Sequence, residues 1–151
     1  MISLRHCENG GDTPRLIRPH ECDHGRHHVV SLVFKQDTRA QTYLSALAAP
    51  DLLVSFMTEA ELERWILQTK WGPERIIRFR TYMKRFVSVP SSRDLIVKWA
   101  EVMVVAQSAG RRVEVADAWL AATALLYDAP LVTNNPGDYI GVPGLKLLPQ
   151  R

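Results

Sequence analysis

Four carboxylates stand out for where they fall in the chain: Glu61, Glu114, Asp117 and Asp138. Glu61 comes shortly after an apolar run, Leu52 to Phe56, and Asp138 shortly after another, Leu131 to Thr133. Glu114 and Asp117 open a helical pattern at i and i+3, a spacing that puts them on one face. Several carboxylates in one cleft bind hard divalent cations, because Mg²⁺ and Mn²⁺ take oxygen ligands, commonly one or two carboxylates together with substrate phosphates. Phosphodiester hydrolysis is the chemistry such a site performs: the cation stabilises charge on phosphoryl oxygens and acidifies its water. Each acid also has a plainer role. Glu61 follows Thr58 at capping-box spacing, Glu114 and Asp117 complement a helix N-terminus, and Asp138 closes an Asn-Asn-Pro-Gly-Asp run suited to a tight turn.

The elements that must position these residues are read from apolar spacing. Val29 to Phe34 is a short apolar run, a buried strand or its continuation into a helix. Asp37 or Thr38 caps a helix through Ala49, ended by Pro50. Leu52 to Phe56 reads as a buried strand, followed by a helix from the Thr58 capping box to about Lys70. Pro73 begins a helix through Arg85 with Ile76, Phe79 and Met83 on one stripe. Val87 and Val89 form a short extended segment. Ser91 or Ser92 caps a long helix that Gly110 stops. A further helix over Val115 to Leu126 carries Ala118, Ala121, Ala122 and Ala124, small enough for close packing on a sheet. Pro130 to Thr133 and Leu145 to Leu148 are the last strands, joined by the turn-rich Asn134 to Asp138. Strands separated by helices imply parallel pairing in a three-layer α/β domain, whose ligands sit at the carboxyl ends of the strands.

The chain has 151 residues, 46% apolar and 23% charged, which fits one globular domain and excludes disordered, collagenous and coiled-coil classes. No apolar stretch is long enough to span a bilayer, and the N-terminus lacks the apolar segment of a signal peptide, so a cytoplasmic location without membrane attachment is expected. The net charge of +3 is small. Its distribution is uneven, because Arg64 to Lys98 is strongly basic and offers a surface for a phosphate backbone. The first 28 residues hold all five histidines and both cysteines. Without helical or strand period they read as an irregular extension, with the domain spanning 29–151. Cys7, Cys22, His24, His27 and His28 lack the paired spacing of a zinc site. No Gly-rich phosphate loop follows any predicted strand, which argues against a generic nucleotide-binding domain.

Several blocks, taken in order, resemble the PIN-domain ribonucleases, in particular the VapC-type toxins of type II toxin-antitoxin pairs. They are Val29-Val30-Ser31-Leu32-Val33-Phe34-Lys35, Thr58-Glu59-Ala60-Glu61-Leu62, Ala116-Asp117-Ala118-Trp119-Leu120-Ala121-Ala122-Thr123-Ala124, and Pro130 to Tyr139 with Val142-Pro143-Gly144-Leu145. The resemblance implies a PIN-like sandwich with a central, mainly parallel sheet flanked by helices. It also implies Mg²⁺- or Mn²⁺-dependent cleavage of RNA, a cognate antitoxin and a homodimer. It makes Glu61, Asp117 and Asp138 the metal-site acids, with Glu114 as an auxiliary and Thr133 and Asn135 as polar neighbours of the last acid. One feature of the family is absent. Its members carry an aspartate at the end of the first strand, whereas Arg26, His27 and His28 precede Val29 here and the nearest acid is Asp23. A guanidinium repels a cation. The alternative is therefore a catalytically impaired remnant that binds only antitoxin or RNA. The abrupt end of the resemblance at Val29 suggests an altered N-terminus, through a changed reading frame or a changed start.

Overall fold

A row of leucines crosses the middle of the molecule. Leu16 pairs in register with Leu53 on one side and Leu131 on the other, and all three are buried. They belong to β1 (Arg15–Ile17), β2 (Leu52–Ser55) and β4 (Leu131–Val132), which join β3 (Val87–Val89) and β5 (Leu147–Leu148) in one sheet. The strand order is β3-β2-β1-β4-β5, and every pairing is parallel. The structure, a computed structural model, describes residues 15–17, 29–36, 38–49 and 51–148.

Parallel neighbours need long crossovers, and the helices supply them: α1 (Val29–Phe34), α2 (Phe56–Thr69), α3 (Pro73–Met83), α4 (Arg93–Ser108) and α5 (Val115–Leu126). Side chains alternate across a strand, so the sheet feeds two cores. On one face Leu52, Val54 and Val132 pack with Val29, Val30, Leu62, Trp65, Ile66 and Phe79, from α1, α2 and α3. An aromatic cluster seals this layer, with the Trp65 and Trp71 rings 4.5 Å apart and edge-on. On the other face Leu16, Leu53 and Leu131 meet α4 and α5. The alanines of α5 lie against the sheet without a side chain to hold it away; Ala118, Ala121 and Ala122 are fully buried. The expected three-layer α/β sandwich is the architecture found.

Differences from the sequence reading concern the N-terminal third and the caps. The segment read as irregular through residue 28 contains the central strand: Arg15–Ile17 pairs with strands on both sides. Three residues are too few to show a period, so only the sheet around them reveals the strand. Val29–Phe34 is a helix. The helix expected up to Ala49 is two 3₁₀ segments, Thr38–Tyr43 and Ala46–Ala48; Asp37, one of its two candidate caps, lies outside the described residues. α2 starts at Phe56, earlier than expected. Its cap is Ser55, whose hydroxyl accepts a 3.2 Å bond from the Thr58 amide, so Thr58 is inside the helix and no Thr58 capping box forms. Ser92 caps α4 through the Leu95 amide, and Gly110 follows that helix at φ 65°, as the stop signal requires.

Candidate active site at the carboxyl edge of the sheet

Parallel strands all end on one edge, and three stretches of chain leave the sheet there. The first is the β2 to α2 junction. Ser55 ends the strand and is fully buried; its hydroxyl caps α2 and stands 3.3 Å from the Thr58 hydroxyl, also fully buried. Placing the cap at the strand end starts the helix at once and sets Glu61 in its second turn, where the residue is 7% exposed. The second is the start of α5. Asp117 lies in the first turn and is 5% exposed. A helix N-terminus stabilises a carboxylate there. α2 and α5 are held together at this edge by Phe56, whose ring meets Trp119 edge-on at 5.3 Å, while Trp119 stacks on Trp99 at 5.0 Å.

The third stretch follows β4. The buried Thr133 continues the sheet by donating its amide to the Leu148 carbonyl at 3.0 Å. Its hydroxyl accepts from the Asn135 amide at 3.1 Å, and the Asn135 side-chain nitrogen donates to Asp138 Oδ1 at 2.8 Å. Thr133 thus fixes Asn135, and Asn135 fixes the Asp138 carboxylate. The turn carrying Asp138, a 3₁₀ segment at Pro136–Tyr139, is pinned by Tyr139, which is 2% exposed in the core.

Glu114 behaves differently from the other acids. It is the residue before α5, in extended conformation, and its exposed carboxylate pairs with Arg112 at 3.3 Å. Glu114 is thus the cap of α5 and not a residue of its first turn, makes no side-chain cap hydrogen bond, and is exposed where Asp117 is buried. Asp23 and the cysteines and histidines weighed for zinc, Cys7, Cys22, His24, His27 and His28, lie outside the described residues. Sequence reading did not single out Ser55; a hydroxyl next to the end of a buried strand is the signal that identifies it.

The donor set is oxygen-only, which suits a hard cation. Among the described residues no group of three or more His, Cys, Asp and Glu side chains forms a cation site by itself. Glu61 and Asp117 supply two buried carboxylates, the number Mg²⁺ uses when phosphate oxygens and waters complete its shell. Two such carboxylates have the donor chemistry for a cation shared with a phosphorylated substrate, not for one caged by protein alone.

Part of the basic run is used within the fold. Arg80 makes a two-pronged bridge to Glu63 at 3.2 and 2.8 Å, Arg75 lies over the Trp71 ring at 4.2 Å, and Lys98 pairs with Glu101 at 2.6 Å. Arg64, Arg78, Lys84 and Arg93 remain exposed. Among the described residues no helix is long and apolar enough to cross a membrane.

Residues 27–138 match the PIN domain family. Ribonuclease VapC4 of Mycobacterium tuberculosis (strain ATCC 25618 / H37Rv) is 31% identical over 98 residues, covering 63% of this chain and 74% of that protein. Among solved structures, FitAcB from Neisseria gonorrhoeae superimposes with a TM-score of 0.68 at 20% identity, over 79% of this chain and 91% of that one. VapBC2 from Rickettsia felis, bound to a DNA fragment from its promoter, gives 0.67 at 20% identity over the same shares, 79% and 91%. At such identities these two structures establish the fold.

Proposed function

The chain belongs to the PIN domain family, as a VapC-like ribonuclease toxin homologue, and from that membership we propose that it hydrolyses RNA phosphodiesters at the carboxyl edge of its sheet with a divalent cation, Mg²⁺ or Mn²⁺. The observation that supports this most is the burial of two carboxylates, Glu61 and Asp117, on helices that meet at that edge. When bound, the cation supplies Lewis acidity at the phosphoryl group. Glu61 and Asp117 hold it, and Asp138, oriented through Asn135 and Thr133, faces the same substrate. Glu114 acts from the rim as an auxiliary, through its pair with Arg112. The exposed arginines and lysines between Arg64 and Lys98 attract the RNA backbone, giving affinity without base specificity.

The partners follow from the same family. The solved relatives include toxin-antitoxin complexes, and we propose a cognate antitoxin protein and a second copy of this chain as partners in the cytoplasm. Apolar side chains exposed on α3 and α4, such as Ile77, Val97, Val104 and Val105, supply surface for such contacts.

A second reading is favoured by one specific observation. The residues that precede Val29, where the family resemblance expects an aspartate, are Arg26, His27 and His28, and none of them is a carboxylate. A protein lacking that carboxylate binds antitoxin or RNA without turnover. Incubating the purified full chain with a labelled single-stranded RNA in Mg²⁺ or Mn²⁺ separates the two. The ribonuclease reading expects cleavage that EDTA and Asp117→Asn both abolish. RNA binding with no cleavage at any Mn²⁺ concentration establishes the impaired protein instead.

A further inference from the structure

One cleft beside the acidic edge has no part in the site described so far. It lies where α4 ends and the chain turns toward α5, is open to solvent with a volume of about 460 Å³, and is lined by Met103, Ala106, Gln107, Arg111, Arg112 and Val113, with Gly110 at the turn. Both of its chain connections lead to candidate acids. The loop that forms its wall runs directly into the first turn of α5, which carries Asp117. Its Arg111 side chain lies against Gly141, which follows the turn that carries Asp138.

Arg111 is fixed at both its backbone and its stem. Gly110 adopts φ 65°, and this left-handed turn lets the Arg111 amide donate to the Ala106 carbonyl at 2.9 Å, closing the end of α4. The contact with Gly141 is so close that a Cβ built there would stand 2.6 Å from the Arg111 Cβ. Gly141 is held in turn by the Val142 amide, which donates to the Tyr139 carbonyl at 3.0 Å. Beyond this stem the guanidinium is exposed and, among the described residues, pairs with no carboxylate. Its neighbour Arg112 is engaged by Glu114. The cleft thus combines Arg111 with an apolar lining of Met103, Ala106 and Val113. A guanidinium recognises a phosphate, and apolar side chains can cover the face of a base. Those are the two ends of a nucleotide.

We infer that this cleft seats the nucleotide of a single-stranded RNA that flanks the scissile phosphate, with Arg111 gripping its phosphate as a positioning residue. The inference rests on the RNA-binding reading above, whether or not the bound RNA is cut. The test measures binding of a labelled single-stranded RNA to the full chain, in EDTA, across a salt series. Arg111→Gln is expected to weaken binding about tenfold and to flatten the plot of log affinity against log salt by about 0.7, the share of one phosphate contact on a single strand. Arg111→Lys is expected to restore the slope, which a merely structural loss would not allow. Lys146→Gln removes the same charge at the far edge, beside Asp128, and is expected to leave slope and affinity unchanged. Wild-type slope and affinity in Arg111→Gln overturn the inference alone, as does equal flattening by Lys146→Gln. Absence of RNA binding by the wild type overturns it together with the RNA-binding reading.

Discussion

The two edges of the sheet are built to different rules. At the carboxyl edge the fold buries Ser55, Thr58, Glu61, Asp117 and Thr133, five of its six buried polar residues among those described. At the amino edge, where the strands begin, charge stays in water. Lys146 and Asp128 pair there at 2.8 Å with side chains 58% and 84% exposed. Surface pairs contribute little and cost little. Buried carboxylates, in contrast, oppose folding unless their surroundings compensate for lost hydration. The two edges thus differ in where they keep charge, buried at one and in water at the other, and the proposed function draws on that difference.

The broadest way to break this contrast is to remove the sheet that separates the edges. Leu16 is fully buried in β1, at the centre of the strand order. Leu16→Ala is expected to destabilise the protein by about 2–5 kcal/mol, read as a lower urea midpoint with an unchanged slope. A change below about 0.5 kcal/mol, the range of surface substitutions, would mean that Arg15–Ile17 is no part of the core.

Asp117→Asn sharpens the contrast at the carboxyl edge. RNA cleavage is expected to fall roughly 100-fold or more, the several kcal/mol that cation-assisted stabilisation of the phosphoryl charge supplies. The melting temperature is expected to change little, since Asn matches Asp in size and keeps an oxygen that accepts hydrogen bonds. A variant that loses activity and unfolds together would assign Asp117 a structural role.

Gly141→Ala probes the junction between that edge and the α4 to α5 loop. The added methyl meets the Arg111 Cβ at 2.6 Å, and a Cβ cannot swing away as the end of a side chain can, so loop backbone must move. A loss of about 1–3 kcal/mol in thermal or urea unfolding is expected. Pairing the substitution with Arg111→Gly removes the obstructing atom, and recovery of that loss would confirm its source.

How much of this was legible in the sequence depended on length and on periodicity. Val115–Leu126 emerges with the bounds that its alanine stripe indicates, and the three-layer α/β class follows from the alternation of strands and helices. β1 was not legible, because three residues flanked by charge and histidine carry no pattern, and its role is set entirely by β2 and β4 on either side. The same limit applies to the site. Glu61 and Asp117 fall on the buried edge because strand ends and helix starts coincide there. Glu114 seemed their equal by spacing, but its cap conformation turns it to solvent and to Arg112. Arg111 had no signal at all, since its importance lies in a contact with Gly141 across the loop.

The smallest effect is expected at the amino edge, and its smallness is the point. The Lys146 and Asp128 pair is expected to couple by no more than about 0.5–1 kcal/mol in a double-mutant cycle at low salt, and by less at high salt. The choice of replacement decides whether the cycle reads the pair or the backbone. Asp128 follows α5 at φ 47°, in the left-handed region. Alanine there would add strain unrelated to the charge, whereas Asn tolerates that region nearly as well as Asp. Asp128→Asn with Lys146→Gln therefore isolates the electrostatic coupling. A coupling above about 2 kcal/mol would show that the amino edge also depends on a charged pair, and the difference between the edges would then no longer mark the site.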